Sequence, residues 1–138
     1  MNDIIIAMGD WNAKLGYQME GKNGVVGKNG LGNNRSDNGE RFITFCTAKS
    51  MAIATTMFPH KDIHKYTWTS PDGRTRNQID HIAVNGIFKK SIQDVRAFRG
   101  ADVGNDHNLV VENIQLMLSR VVTNQGKRTA WRYELSKL

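Results

Sequence analysis

The sequence predicts a mixed α/β domain of the α+β type, with a mainly antiparallel sheet. Several short β-branched or alternating segments are typical of strands, while only one segment carries clear helix signals. The 138 residues fit one domain, and a hydrophobic content of 39% is enough to bury a core. No apolar run approaches the length of about 18 residues that a membrane-spanning helix needs, which excludes that class of protein.

The first predicted strand, Asp3–Met8, is a β-branched run that ends at Gly9-Asp10. We expect this strand to be fully buried. Six glycines between residues 16 and 32 predict a long irregular loop. Because these glycines lack the spacing of a nucleotide-binding loop, the loop is not expected to hold a nucleotide.

A helix is predicted to begin at Asp37, where Glu40 completes the spacing of a capping box, and to end near Ser50. The next segment, Met51–Phe58, is predicted to form a strand that Pro59 closes.

A β-hairpin is predicted over residues 66–84. Tyr66–Ser70 has high β propensity, and Asn77–Val84 has the pattern of a second strand. Between them, Pro71-Asp72-Gly73 is a turn sequence, since proline fixes φ and glycine supplies the left-handed position.

Two further strands are predicted, Ser91–Phe98 with a bulge and Leu109–Leu118, joined by a loop at 100–108. The folded domain is accordingly assigned to residues 1–118. Residues 119–138 are predicted to form a polar, basic tail or linker.

Charge and cysteine content indicate the cellular setting. A formal net charge of +6, concentrated in the C-terminal two thirds, is compatible with a nucleic-acid partner. Many proteins that bind nothing acidic are also basic. The single cysteine, Cys46, cannot form an internal disulfide, so we expect a reduced, intracellular protein.

Three polar clusters stand at the ends of predicted strands, where rigid elements can hold reactive groups. The clusters are Gly9–Asn12, Asn77–His81 and Gly104–Asn108. A carboxylate can orient a water molecule, a histidine can protonate a phosphoryl oxygen, and an amide can donate to an oxyanion. Remaining carboxylates can bind Mg²⁺. The residues that supply this set are Asp10, Asn12, Asp80, Asp106 and His107.

Each cluster also has a structural explanation. Gly-Asp after a strand is a common turn, and Asp106-His107 is compatible with an exposed turn. Asp80 lies inside an apolar strand, where a carboxylate needs a partner, for which Arg74 or Arg76 is available.

Three residues in or near these segments are interpreted as structural rather than catalytic. His81 points to the opposite face from the preceding carboxylate by the period-2 rule, and is expected to be structural or exposed. Trp11 and Trp68 are interpreted as packing residues at the core or its rim.

The ordered motifs GDWN at 9–12, QIDHI at 78–82 and NDH at 105–107 resemble the C-terminal half of the endonuclease/exonuclease/phosphatase superfamily. The likeness is greatest to non-LTR retrotransposon endonuclease domains of the craniofacial development protein 2-like type. The stretches IIIAMGDWNAKLG, DNGERF, TWTSPDGRTRNQIDHIAVN and GADVGNDHNLV carry it, and with the closing WRYELSKL they cover nearly the whole chain.

The resemblance implies half of a two-sheet DNase I-like sandwich with flanking helices. It implies hydrolysis of DNA phosphodiester bonds with Mg²⁺ (or Mn²⁺), as in nicking a target strand to prime reverse transcription. Asp10 would align or activate the attacking water, His107 would bind or protonate a phosphate oxygen, and Asp80 would orient and charge this histidine. Asp106 would lie at the metal site.

The substrate-binding residues implied with them are Asn12, at the scissile phosphate, and Asn77, Arg74 and Arg76. Nuclear localisation would follow from this activity, although the sequence holds no clear signal for it.

Two departures from the family qualify these expectations. Asn105 replaces the serine of the family's SDH motif. The family's preceding half, with its metal-binding glutamate, has no counterpart here. Without that half the isolated chain need not be active, and we expect a second copy of the chain, a different partner or the missing N-terminal half to cover the exposed sheet.

The alternative function is a non-catalytic half-domain that self-associates or binds nucleic acid. A phosphatase acting on small phosphoesters is a third hypothesis, which substrate size would separate from a nuclease.

Overall fold

The computed structural model describes residues 3–17, 24–99 and 106–116. One α-helix and seven strands lie in this part of the chain, with three short 3₁₀ turns at Ala54–Thr56, Asp62–His64 and Gly86–Ser91. In chain order the elements are β1 (Ile6–Asp10), α1 (Asp37–Ala48), β2 (Met51–Ile53), β3 (Trp68–Thr69), β4 (Arg76–Asn77), β5 (Asp80–Asn85), β6 (Ile92–Phe98) and β7 (Leu109–Ile114).

The strands form three antiparallel sheets, ordered β1-β5-β2, β3-β4 and β6-β7. The predicted α+β class with antiparallel sheets is thus confirmed, and the arrangement is consistent with part of a two-sheet sandwich. No helix in the described ranges is long and apolar enough to cross a membrane. The predicted tail 119–138 and most of the predicted loop 100–108 lie outside the described residues.

The three-stranded sheet separates two buried clusters. On one side, Phe42, Ile43 and Cys46 of α1 pack with Ile53 and Ala83. On the other side, Ile82 and Val84 of β5 pack with Ile92 and Val95 of β6. Each face of β5 therefore contacts a different layer, and its alternating side chains make it the central strand of the fold.

The first strand is less buried than its sequence predicts. β1 spans Ile6–Asp10 rather than Asp3–Met8, and it lies at an edge of its sheet. Met8 in this strand is 65% exposed, and Ile5 just before it is 58% exposed. Because an edge strand has a neighbour on one side only, these side chains extend beyond the two buried clusters.

The predicted strand Met51–Phe58 is also shorter in the structure. β2 ends at Ile53, and a 3₁₀ turn follows. The Thr56 hydroxyl donates to the Ile53 carbonyl over 2.7 Å and accepts from the Gly27 amide over 2.8 Å. These hydroxyl contacts replace the ladder that a longer strand would form.

The helix begins at Asp37 as predicted, but its cap is Ser36 rather than Asp37. The Ser36 hydroxyl accepts from the Gly39 amide over 3.1 Å and from the Lys14 amide over 3.0 Å. A Cβ at Gly39 would lie 2.0 Å from the Lys14 carbonyl oxygen, so only glycine permits this approach. The cap therefore ties the helix to the segment that follows β1.

The predicted hairpin over 66–84 is confirmed only in part. Trp68 pairs with Asn77, and Gly73 takes a φ of +72° in the turn between β3 and β4. The second strand then divides, because the Thr67 hydroxyl accepts from the amides of both Ile79 and Asp80 over 3.1 Å. From Asp80 onward the chain belongs to the β1-β5-β2 sheet instead.

The last two strands pair as a hairpin across residues that lie outside the described ranges. β6 and β7 show a register shift between Ile92 and Asp94, which confirms the predicted bulge. Both strands are shorter than predicted: Ser91 belongs to the 3₁₀ turn before β6, and β7 ends at Ile114.

Glu112 gives a stability prediction. It lies opposite the buried Val95 in the β6-β7 ladder, and its Oε1 has no hydrogen-bond partner among the described residues. Burial raises the pKa of this carboxyl from 4.5 to about 7. The folded chain therefore takes up a proton that the unfolded chain lacks in this window, and stability falls as pH rises through it.

Glu112→Gln removes this charge while keeping the shape. We expect the variant to be more stable than the parent at about pH 8, by about 1–2 kcal/mol after allowance for partial solvent screening. The two should be equal at about pH 4, where both side chains are neutral. Urea unfolding at the two pH values measures this, with the exposed Asp62→Asn as control. Lower stability of Glu112→Gln in the alkaline buffer would contradict the assignment.

Candidate functional site

The predicted polar clusters meet at one end of the central sheet. Asp10 closes β1 and Asp80 opens β5, and the two residues are direct partners in the antiparallel register. His107 reaches the same point through an isolated β-bridge to Trp68. Ligand atoms of Asp10, Asp80 and His107 all lie within 4.8 Å of one another. We refer to these three residues as the triad.

Histidine and carboxylates are arranged as one charged unit. His107 Nδ1 donates to Asp80 Oδ2 over 2.8 Å. His107 Nε2 lies 3.8 Å from Asp10 Oδ2 and 4.0 Å from Asp106 Oδ1. Two carboxylates placed directly opposite each other repel, so the imidazole between them offsets a local electrostatic cost. A departure of this kind from ordinary sheet pairing is typical of a functional site.

The protonation of His107 follows from this geometry. Partial burial by itself lowers the pKa of His107, but the hydrogen bond to Asp80 and the charges of Asp80, Asp10 and Asp106 outweigh it. The net pKa lies above its usual value of 6.5. The imidazole is 29% exposed, so a bound ligand could reach it. A cationic imidazole at this position favours a phosphate oxygen.

Trp68 and Thr67 position the segment that carries His107. The Trp68 indole Nε1 donates to Asp106 Oδ2 over 2.9 Å, and the Thr69 amide donates to the Asp106 carbonyl over 3.1 Å. The Asn108 amide donates to the Thr67 carbonyl over 2.7 Å. Trp68, which the sequence analysis interpreted as a packing residue, thus has a polar role. Its place in the YTWTS segment was visible in the sequence, but its partner was not.

Asn12 lies in the turn that follows Asp10. Its φ of +47° is left-handed, which asparagine tolerates better than most residues. Its amide donates to Asp10 Oδ1 over 2.9 Å, and its carbonyl accepts from Asn38 Nδ2 over 3.1 Å. These contacts fix the Asp10 carboxylate and leave the Asn12 side chain on the exposed surface beside it.

His81 is structural, as predicted. It is 1% exposed, its Nε2 donates to the Ala13 carbonyl over 2.7 Å, and its Nδ1 accepts from the Thr55 hydroxyl over 2.8 Å. Burial lowers its pKa to about 4, against the raising effect of the Ala13 hydrogen bond, so the ring is neutral. Trp11 packs on Phe42, as predicted for a residue at the core or its rim, and its Nε1 donates to the His81 carbonyl over 3.1 Å.

The predicted substrate-binding arginines lie on the β3-β4 hairpin. Arg74 is exposed beside the turn, and the Arg76 guanidinium lies 5.0 Å from the centre of the Tyr66 ring. Neither forms the ion pair with Asp80 that the sequence left open, because His107 takes that place. Asn77 is partly buried in β4 opposite Trp68. The roles of these residues toward a substrate stay predictions.

The oxygen donors at this site suit a hard cation. Asp10 and Asp106 are each 50% exposed and flank His107 Nε2, whereas Asp80 is 18% exposed and engaged with His107 Nδ1. Mg²⁺ is commonly held by one or two carboxylates together with substrate phosphate oxygens and water. The described residues whose ligand atoms all lie within 4.8 Å of one another are Asp10, Asp80 and His107, and Asp106 lies beside this set rather than in it. Asn105, the departure from the SDH motif, lies outside the described residues.

Comparison with known proteins places the chain among named relatives. Proteins called craniofacial development protein 2 from Tragulus javanicus and Bos taurus are 41% and 40% identical to it over 116 residues. The match covers 84% of this chain but 20% and 19% of the relatives, so the chain spans about a fifth of their length. No family model and no solved structure matches the chain. The predicted likeness to craniofacial development protein 2 is thus confirmed, and the superfamily stays a prediction.

Proposed function

We propose that the triad is the centre of a Mg²⁺-dependent (or Mn²⁺-dependent) DNA endonuclease of the endonuclease/exonuclease/phosphatase superfamily. The observation that carries this proposal is the convergence of three sequence motifs on one charged unit. Asp10, Asp80 and His107 come from segments that are up to 97 residues apart and meet within 4.8 Å. The proposed activity is inferred from the order and spacing of the motifs rather than from the names of the relatives.

Each residue of the triad has a different proposed role in hydrolysis. His107, charged and held by Asp80, binds a non-bridging or leaving oxygen of the phosphodiester and can donate a proton to it. Asp10 lies 3.8 Å from His107 on the exposed side, where it can orient a water toward phosphorus. The exposed amide of Asn12, in the adjoining turn, donates to the developing charge on the phosphate.

A divalent cation completes the proposed site. Asp106 would hold it with the exposed oxygen of Asp10, and the ion would supply Lewis-acid stabilisation of phosphate charge when bound.

DNA is the proposed partner, and nuclear localisation follows from that substrate. The chain carries a formal net charge of +6. Arg74 is exposed on the hairpin whose first strand holds the Asp106-His107 segment. Lysine and arginine side chains in such positions neutralise backbone phosphates and make binding depend on salt. Nicking one strand to prime reverse transcription is the biological role that we propose for this activity.

Nicking of supercoiled plasmid by the purified chain tests the proposal. We expect conversion to the relaxed form with Mg²⁺ and none with EDTA. Asp10→Asn should abolish it, whereas Asp62→Asn, which removes an exposed carboxylate from another part of the chain, should not. Equal nicking by the parent and Asp10→Asn, as a contaminant would give, contradicts the proposal. Release of phosphate from small phosphomonoesters without nicking would favour the phosphatase hypothesis.

A second candidate, a non-catalytic module that self-associates, is favoured by the open edge of the sheet. Ile5 and Met8 are 58% and 65% exposed at and before β1. A second copy of the chain that paired along β1 would cover them. Absence of nicking together with a dimeric mass in light scattering would support this candidate, and a monomer at high concentration would count against it.

A further inference from the structure

A cleft opens beside the turn that carries Asn12. Its lining combines aromatic and polar side chains, namely Trp11, Asn38, Arg41, Phe42 and Phe45. The cleft is open to solvent and has a volume of about 260 Å³. Clefts that enclose drug-sized ligands hold roughly 300–1,000 Å³, so this one suits a single flat ring system.

The aromatic side chains of the cleft offer a stacking surface. Trp11 stacks on Phe42 with ring centres 4.5 Å apart, and this contact fixes the indole against the core. Phe45 lies 6.4 Å from Trp11, one turn further along α1, and is 42% exposed. The buried cluster on this side of the sheet includes Phe42 but not Phe45, so the exposed Phe45 ring adds little to the core. It remains available to a planar ligand.

The polar side chains link the cleft to the triad. Asn38, which lines the cleft, donates through Nδ2 to the Asn12 carbonyl over 3.1 Å. Arg41 is exposed and forms no ion pair with any described residue. A guanidinium of this kind stacks on a heterocycle or pairs with a phosphate. The aromatic ring of Phe45, the guanidinium of Arg41 and the amide of Asn38 thus line one cleft beside the proposed phosphate site.

We propose that this cleft binds one unpaired nucleobase of the strand whose phosphodiester lies at the triad. The inference rests on the proposed function and extends it to a substrate feature. Inside a continuous duplex both faces of a base are covered by its neighbours, so a base that stacks on Phe45 and Trp11 has separated from at least one of them. The chain therefore favours single-stranded or locally unpaired DNA over a continuous duplex.

Binding of oligonucleotides in EDTA tests the cleft without cleavage. Fluorescence anisotropy compares labelled oligothymidine with a backbone of equal length that carries tetrahydrofuran in place of every base. We expect the full chain to bind oligothymidine about tenfold more tightly, the effect of a stacked base. Phe45→Ala and Phe45→Leu should bring this ratio near unity, and Phe45→Tyr should keep it. The control Ile87→Ala removes an apolar side chain that is 65% exposed beyond the far end of β5, and it should leave the ratio unchanged.

The outcomes separate this inference from the proposed function. An unchanged ratio in Phe45→Ala overturns the base site. Equal binding of both oligonucleotides by the parent also overturns it, while leaving the nuclease proposal intact. Binding of neither oligonucleotide overturns both the base site and DNA as partner. A base preference that depends on Phe45 supports the cleft even if plasmid nicking fails.

Discussion

His107→Ala is expected to lower the rate of metal-dependent plasmid nicking by about 10²–10⁴-fold, the usual contribution of one general acid or base. The imidazole lies between the two carboxylates of the triad, with Nδ1 2.8 Å from Asp80 and Nε2 3.8 Å from Asp10. Removing it takes away the proposed proton donor and leaves Asp10 and Asp80 facing each other without the charge between them. A matched control is His60→Ala, which breaks a histidine–carboxylate pair of 2.6 Å with Asp94 elsewhere in the fold.

The pH dependence of nicking separates a catalytic role for His107 from a structural one. Partial burial lowers the pKa of His107, but Asp80 and the other carboxylates raise it above 6.5 in balance. The protonated form is therefore present below that raised pKa and is lost as pH rises through it. Asp80→Asn should move the alkaline limb of the rate profile to lower pH. A limb that stays in place, or His107→Ala and His60→Ala losing activity equally, would contradict the assignment.

Phe42→Ala is expected to cost about 3–5 kcal/mol of unfolding free energy, as large-to-small changes of buried aromatic residues do. Phe42 is 5% exposed and lies between Trp11 at 4.5 Å and His81 at 5.6 Å, measured between ring centres. The cavity would open beneath the turn that carries the site. Since domains of this size are stable by only about 5–15 kcal/mol, the variant should be mostly unfolded at elevated temperature.

The control for this prediction lies on the same helix. Phe45 is 42% exposed, so Phe45→Ala should change stability by no more than about 1 kcal/mol. Denaturant unfolding of both variants gives the comparison through their midpoints. Equal losses from the two substitutions would mean that the aromatic stack does not anchor the helix to the sheet.

The triad could be predicted from the sequence mainly through the order of its motifs, since only Asp80 had an unusual local setting. Asp80 stands in an apolar strand, where a carboxylate needs a partner, and the partner is His107. Period-2 alternation also separated Asp80 from His81, which is buried and neutral on the other face. The order of the motifs predicted that Asp10 and His107 share a site with Asp80.

Contacts between distant segments were not predictable in the same way. The bond from Trp68 to Asp106 spans 38 residues of sequence, and β propensity does not encode it. The Ser36 hydroxyl, which caps the helix, also accepts from the Lys14 amide, 22 residues away. The exposure of Met8 depends on the position of β1 at the edge of its sheet, which local hydrophobicity does not reveal.

The central claim is that one histidine and two carboxylates from separate segments form a single charged unit. Nuclear magnetic resonance of the imidazole ring signals against pH tests it directly, with His107→Ala identifying the signals that belong to His107. We expect a titration midpoint above 6.5 for His107 and a lower midpoint in Asp80→Asn. A midpoint at or below 6.5 in the parent chain, unchanged in Asp80→Asn, would contradict the claim.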